Sequence, residues 1–219
     1  MIAPSGVFIT FEGLDGCGKS TQLESLARRL DRIHRPYITT REPGGTPTGE
    51  RIRQLLLDSR TSTLEPTAEL TLMFASRAQH LREVIFPALH DGKIVLCDRF
   101  TDSSEAYQGA GRKLGSEIVL ELHRLLCQGK NPDLTILMDS DVAASVDRAR
   151  RRNRTRGDET CDENRFEREN RAFFTRVHTG YLEIAKREPR RVVVVNARGT
   201  PDQTGKKIWA AVSNKLDLK

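Results

Sequence analysis

Gly13-Leu14-Asp15-Gly16-Cys17-Gly18-Lys19-Ser20 constrains the topology of this chain more than any other segment. A G-x-x-x-x-G-K-[ST] string works only between a buried strand and the first turn of a helix. Both neighbours are present. Val7 to Phe11 reads as a buried strand, and from Lys19 onward Leu23, Leu26, Ala27 and Leu30 recur at helical spacing. The glycines let backbone N–H groups turn inward as an anion nest, and the helix N-terminus adds the positive end of its dipole. Lys19 is expected to be a solvent-facing, mobile charge for β/γ-phosphates, and Ser20 to place its hydroxyl on Mg²⁺. Gly13, Leu14, Asp15, Gly16, Cys17, Gly18, Lys19, Ser20 and Thr21 are therefore the candidate cradle of a nucleoside triphosphate, with ATP the expected donor.

The order of elements extends that start. Short strands are expected at Tyr37–Thr40, Ile94–Cys97, Leu134–Met138 and Val192–Val195. Helical patterns lie between them, around 51–57, 68–89, 118–126, from 141 into an arginine cluster, 165–187 and 208–216. Most of the strands are continuous apolar runs, which are buried on both faces and therefore parallel. The expected fold is α/β, a five-stranded parallel sheet between two helical layers. At roughly 150 residues per domain, the 219 residues make one domain, 1–219.

Charge narrows the partners. Lys+Arg less Asp+Glu is 36 − 30 = +6, which suits an anionic ligand. Six of the nine residues from Arg148 to Arg156 are arginine, so this stretch alone matches the whole net charge. We read 148–164 as a mobile surface segment between two helices, a short lid. No basic stripe is interleaved with aromatics, so nucleic acid is not expected as a partner. No apolar run approaches the roughly 18 residues of a membrane span. Four cysteines without metal-type spacing and no secretory leader imply a reducing cytoplasm.

Three classes use such a phosphate loop. A GTPase switch needs a guanine-reading N-K-x-D, which is expected to be absent here, and a large motor ATPase needs more chain than this. A small-molecule kinase needs a second phosphate site, a basic clamp and a closing segment, for which this chain has candidates. Arg41-Glu42-Pro43-Gly44-Gly45-Thr46, Asp98-Arg99 and Ala106-Tyr107-Gln108-Gly109 follow the loop in order, with Arg165-Phe166-Glu167 and Gly180-Tyr181-Leu182 after them. In this series the chain resembles the bacterial thymidylate kinase family, from about Val7 to Val195. The alternatives are another nucleoside monophosphate kinase of the same loop class, or a basic nucleic-acid-dependent ATPase.

The resemblance implies transfer of the γ-phosphate of ATP to dTMP, with Mg²⁺, in a homodimer. It gives Arg99 the clamping role between donor and acceptor phosphates, and Asp98 with Ser20 the metal, partly through water. For dTMP it implies Asp15 at the sugar 3′-OH, Arg53 at the phosphate and Glu42 near metal and nucleotide. Arg77, Ser104 and Gln108 would meet thymine, with Tyr107 under the sugar. Relatives carry an aromatic residue where this chain has Met73, so either Met73 or its neighbour Phe74 would cover the base. Some relatives carry arginine at the position of Gly16. Its absence here makes Arg152, Arg154 and Arg156, with Arg150 also in reach, the candidate cations for the transferring phosphoryl. Asn164 stands where relatives have Asp.

Overall fold

In the computed structural model, five parallel strands form one sheet: β1 (Val7–Glu12), β2 (Tyr37–Arg41), β3 (Ile94–Asp98), β4 (Leu134–Asp139) and β5 (Val192–Asn196). Their order is β2-β3-β1-β4-β5. The structure describes residues 6–58, 60, 64–156 and 165–217, apart from the side chains of 153–156. The apolar runs of β1, β3 and β4 occupy the three central positions. The more polar Tyr-Ile-Thr-Thr-Arg of β2 takes one edge, where one side of the strand meets no neighbour.

Side chains alternate across the sheet with period two. Ile9 and Phe11 pack on one face against α1 (Lys19–Arg32) and α9 (Pro201–Lys215), through Leu26, Leu30, Ile208 and Val212. On the other face, Phe8, Val95 and Cys97 meet Leu70 and Phe74 of α3 (Pro66–His80) and Val119 of α6 (Ser116–Leu126). Leu137 and Val192 meet α8 (Arg171–Arg187). The connection after β1 leads to β2 and the one after β3 leads to β4, so adjacent strands send their chains in opposite directions. A crevice at the carboxyl ends of β1 and β3 results, the place where open α/β sheets bind ligands.

Several helix boundaries differ from those expected. α2 (Pro47–Leu57) begins before residue 51, because Thr46 caps it by accepting from the Gly49 N–H at 2.9 Å. The pattern over 68–89 is three pieces: α3, a π-helical turn at Leu81–Ile85, and α4 (Phe86–His90). The π-helical turn comes just before Pro87, which has no N–H to donate to the carbonyl one turn back. After Arg99 the chain folds into α5 (Thr101–Ser104) and a π-helical turn at Glu105–Gly111. The basic segment also needs correction. Its first nine residues, 148–156, belong to α7 (Val142–Arg156), so the arginines stand at fixed helical intervals rather than on a mobile loop. Residues 157–164, and with them Asn164, lie outside the described residues.

Candidate active site

Asp15, Gly16, Cys17, Gly18, Lys19, Ser20 and Thr21 line one wall of a cleft of about 1410 Å³ at the carboxyl edge of the sheet. Lys19 is not solvent-facing as expected. It is 6% exposed, and its Nζ donates to Gly13 O at 3.1 Å and Leu14 O at 3.0 Å. Gly13 and Leu14 thus contribute carbonyls to the loop's interior rather than surface to the cleft, and the Leu14 side chain lies in the core. Cys17 is buried, and burial raises its thiol, so it offers no nucleophile.

The ladder between β1 and β3 pairs Phe11 with Asp98 and so sets Asp98 beside the loop. Ser20 Oγ donates to Asp98 Oδ2 at 3.1 Å, and the other carboxylate oxygen, Oδ1, is buried with no partner. An unpartnered acceptor next to a hydroxyl fits a hard divalent cation that takes its remaining ligands from phosphates and water. Among the described residues no group of three His, Cys, Asp or Glu could hold a metal by itself.

Arg99 stands at the centre of the cleft with φ 72°, a left-handed backbone that costs a non-glycine residue strain. Its Nη1 donates to Ser103 Oγ at 2.9 Å and the Tyr181 hydroxyl at 3.0 Å. Its Nη2 donates to Asp15 Oδ1 at 2.8 Å and the Tyr107 hydroxyl at 3.1 Å. Burial alone would raise the Asp15 carboxyl, but the charges of Arg99, Lys19 and Arg152 outweigh it and hold the group well below the usual range. Behind Arg99, Glu12 accepts from Ser103, Tyr181 and the Phe100 N–H. Burial, then the Asp102 charge, pushes its carboxyl up to about 7, against the opposing pull of Arg99. The Tyr107 ring sits edge-on to Phe166, Phe173 and Tyr181, with only its hydroxyl end reaching Asp15.

The far end of the cleft is built by α3 and the turn at 105–111. Arg77 is 2% exposed and lies between the rings of Phe74 and Phe100. Its Nε donates to Glu42 Oε2 at 2.7 Å, and its Nη2 to Phe100 O and Ser104 Oγ at 3.1 and 3.0 Å. Nη1 is buried and unpartnered. Glu42 gives its second oxygen to His80 Nδ1 at 2.9 Å. With both oxygens engaged it holds Arg77 in place, and it lines the cleft between Arg41 and Pro43. Met73 lines the cleft; Phe74 is fully buried behind it, which removes Phe74 from the base-contact set. Ser104, Gln108 and Arg53 also line the wall, and Arg53 Nη1 donates to Pro43 O at 3.2 Å.

Of the arginine cluster, Arg148 and Arg152 face the cleft. Arg148 Nε donates to Gly16 O at 2.8 Å. Arg150 points elsewhere, to the carbonyls of Glu167 and Glu169 at 3.1 and 3.2 Å. The side chains of Arg154 and Arg156 lie outside the described ones.

A family model described as thymidylate kinase matches residues 11–208. The chain belongs to the thymidylate kinase family. It is 48% identical over 211 residues to the thymidylate kinase of Trichlorobacter lovleyi, covering 96% of this chain and 98% of that one. To the thymidylate kinase of Geobacter sulfurreducens it is 44% identical over 211 residues, covering 96% and 98%. The crystal structure of thymidylate kinase from Ehrlichia chaffeensis superposes with a TM-score of 0.75 at 32% identity, covering 96% of this chain and 99% of that one.

Membership also settles the guanine question. One N-K-x-D string does occur, Asn214-Lys215-Leu216-Asp217, but it ends α9 and does not line the cleft. Position, not absence, excludes a guanine reader. Residues that sequence reasoning left without a role in this thymidylate kinase cleft include Glu12, Ser103, Tyr181 and Arg148. A glutamate ending an otherwise apolar strand was the available signal for Glu12.

Proposed function

We propose that the cleft transfers the γ-phosphate of ATP to dTMP, giving ADP and dTDP, with the donor on the phosphate loop and the acceptor base at the α3 end. One observation carries the assignment of ends. Opposite the loop, Arg77 holds a buried, unpartnered donor on the wall that Gln108 also lines, and thymine presents the complement to that donor and an amide oxygen, O4 and N3–H. Arg99 lies between the ends with its planar fork, suited to phosphate oxygens on both sides. Such chemistry is chiefly positioning and charge neutralisation. The acceptor is already an anion, so no strong base is required.

In this reading Lys19 leaves its two carbonyls to meet the donor phosphates, and Arg152 approaches the transferring group from α7. Asp98 and Ser20 would hold Mg²⁺, which supplies charge neutralisation at the phosphates. Arg53 would bind the acceptor phosphate, Asp15 the 3′-OH, and Met73 the base. Ala197, Gly199 and Pro201 line the end left for adenine. A homodimer is supported by exposed Leu55 on α2 and Ile118 and Leu125 on α6, with α3 packed against both helices. No helix among the described residues is long and apolar enough to cross a membrane. A cytoplasmic location fits the free, buried Cys17, Cys97 and Cys127. The test is coupled ADP release with each nucleoside monophosphate in turn. dTMP should give the highest kcat/KM, and preference for a purine or ribose monophosphate would sink this reading.

A further inference from the structure

The structure assigns Glu69 the task of fixing which end of the Gln108 amide faces the cleft, and hence the preference for a pyrimidine with a ring N–H. This rests on the dTMP reading above. Glu69, on α3, is 0% exposed and touches no cleft surface. Its Oε1 accepts from Gln108 Nε2 at 2.7 Å and Arg112 Nε at 3.3 Å. Its Oε2 accepts from Arg165 Nη1 at 2.7 Å and lies 3.2 Å from Arg112 Nη2.

A carboxylate held between two guanidinium groups offers only acceptors. The NH₂ end of Gln108 must therefore turn to Glu69 and the carbonyl end must turn away. The two ends of an amide have nearly the same shape, so without such a partner either could face the ligand. Gln108 Oε1 receives no hydrogen bond from any described residue, and Gln108 lines the cleft, as Arg77 does. An acceptor fixed there pairs with N3–H of thymine or uracil. Cytosine has a bare N3, which would set two acceptors face to face, and an amino group where Arg77 needs an oxygen. Glu69 makes this selection from behind the wall and is a positioning residue.

The experiment measures kcat/KM for dTMP, dUMP, dCMP and N3-methyl-dTMP with wild type, Glu69→Gln, Gln108→Leu and the double variant. A ratio between two substrates does not depend on the fraction of active enzyme. Because a lost buried hydrogen bond is felt in full, the dTMP:dCMP ratio should fall roughly 10-fold or more in Glu69→Gln, with the KM for ATP unchanged. dUMP should track dTMP, and the gap to N3-methyl-dTMP should narrow. Added to Gln108→Leu, Glu69→Gln should leave the ratio where it was, because its route is gone. An unchanged ratio in Glu69→Gln, or an equal fall in both backgrounds, overturns the inference. Glu69→Asp, which keeps the charge opposite the two arginines but withdraws it by one methylene, gives the same readout should Glu69→Gln not fold. In wild type, the Gln108 side-chain amide protons should exchange slowly in NMR, and rapid exchange would also overturn it. A wild-type enzyme inactive on dTMP would instead sink the substrate reading itself.

Discussion

Changing Gly16 to Ala adds one methyl group and should cost far more than a methyl usually does. Gly16 has φ +78°, and a Cβ there falls on backbone atoms of α7: the Ser145 carbonyl oxygen, Ala149 N at 2.9 Å and Ser145 C at 3.1 Å. Left-handed backbone costs an alanine roughly 1–2 kcal/mol. Helix backbone cannot rotate out of the way as a side chain can, so α7 must move off the loop by about 1 Å to restore ordinary contact. That shift breaks the Arg148–Gly16 hydrogen bond of 2.8 Å and carries Arg152 away from the phosphates. Misplacement on the order of 1 Å costs about 10²-fold in rate. Gly16→Ala should therefore lose about 30- to 100-fold in kcat by coupled ADP release, between one and two decades of that estimate. Urea unfolding should show a loss of only about 1–2 kcal/mol. Gly16→Arg meets the same obstacle and should do no better, although it adds a cation to the loop. A kcat within threefold of wild type for Gly16→Ala would refute the claim that α7 must seat on the phosphate loop.

Other substitutions separate neighbours whose sequence roles looked alike. Arg152→Ala should lower kcat by about 10³, because a charge about 4 Å from the phosphoryl at an effective dielectric of 20 is worth about 4 kcal/mol; Arg150→Ala should leave kcat within about fivefold, since lost positioning at the carbonyls of Glu167 and Glu169 is worth about 1 kcal/mol or less at the phosphates, and equal losses in the two single mutants would discard the distinction. Phe74→Ala should cost about 3–5 kcal/mol in urea unfolding as a core deletion, whereas Met73→Phe should lower the KM for dTMP, by up to about 10-fold if a ring stacks on the base; a KM effect larger in Phe74→Ala would reverse the assignment. Glu12 titrates near 7 in the fold and near 4.5 when exposed, so its contribution to stability is intact below about pH 4.5 and is lost as pH rises through about 7. Relative to Glu12→Gln, the wild type should thus lose on the order of 3 kcal/mol between pH 5 and 8, and a pH-independent difference would contradict the burial argument.

The sheet was legible because β1, β3 and β4 are mostly apolar and the phosphate loop anchors the first crossover. The helix starts at Pro47 and Pro66 were less so. Proline at a first helical turn looks like punctuation until the cap, Thr46 or Glu65, is seen to hold it. The arginine cluster deceived for another reason. Its charge density reads as a solvated loop, but helical phase sorts it, sending Arg148 and Arg152 to the cleft and Arg150 to a neighbouring turn. Met73 and Phe74 stood as alternatives, and the orientation of Glu42 was open, because a sequence shows which types are near the site, not which way each faces. Glu42 turns both oxygens to Arg77 and His80, and Phe74 lies beneath the guanidinium it supports. Position 69 carried no signal at all: a glutamate one turn into a helix is ordinarily a solvated residue.

In the ladders of the sheet, Asp98 is paired with Phe11 on one side and Arg41 on the other. The three loops that begin at these residues are thus hinged along a single row of backbone hydrogen bonds, while the groups that would read the base, Met73, Arg77, Ser104 and Gln108, hang from a helical wall that Arg77 ties to two of those loops through Glu42 and Phe100 O. Bond-making distance and base choice are thus carried by different parts joined at one arginine. Retargeting the wall to another monophosphate would have to keep the Arg77 contacts to Glu42 and Phe100, or the gap across which the phosphoryl group travels would change with it.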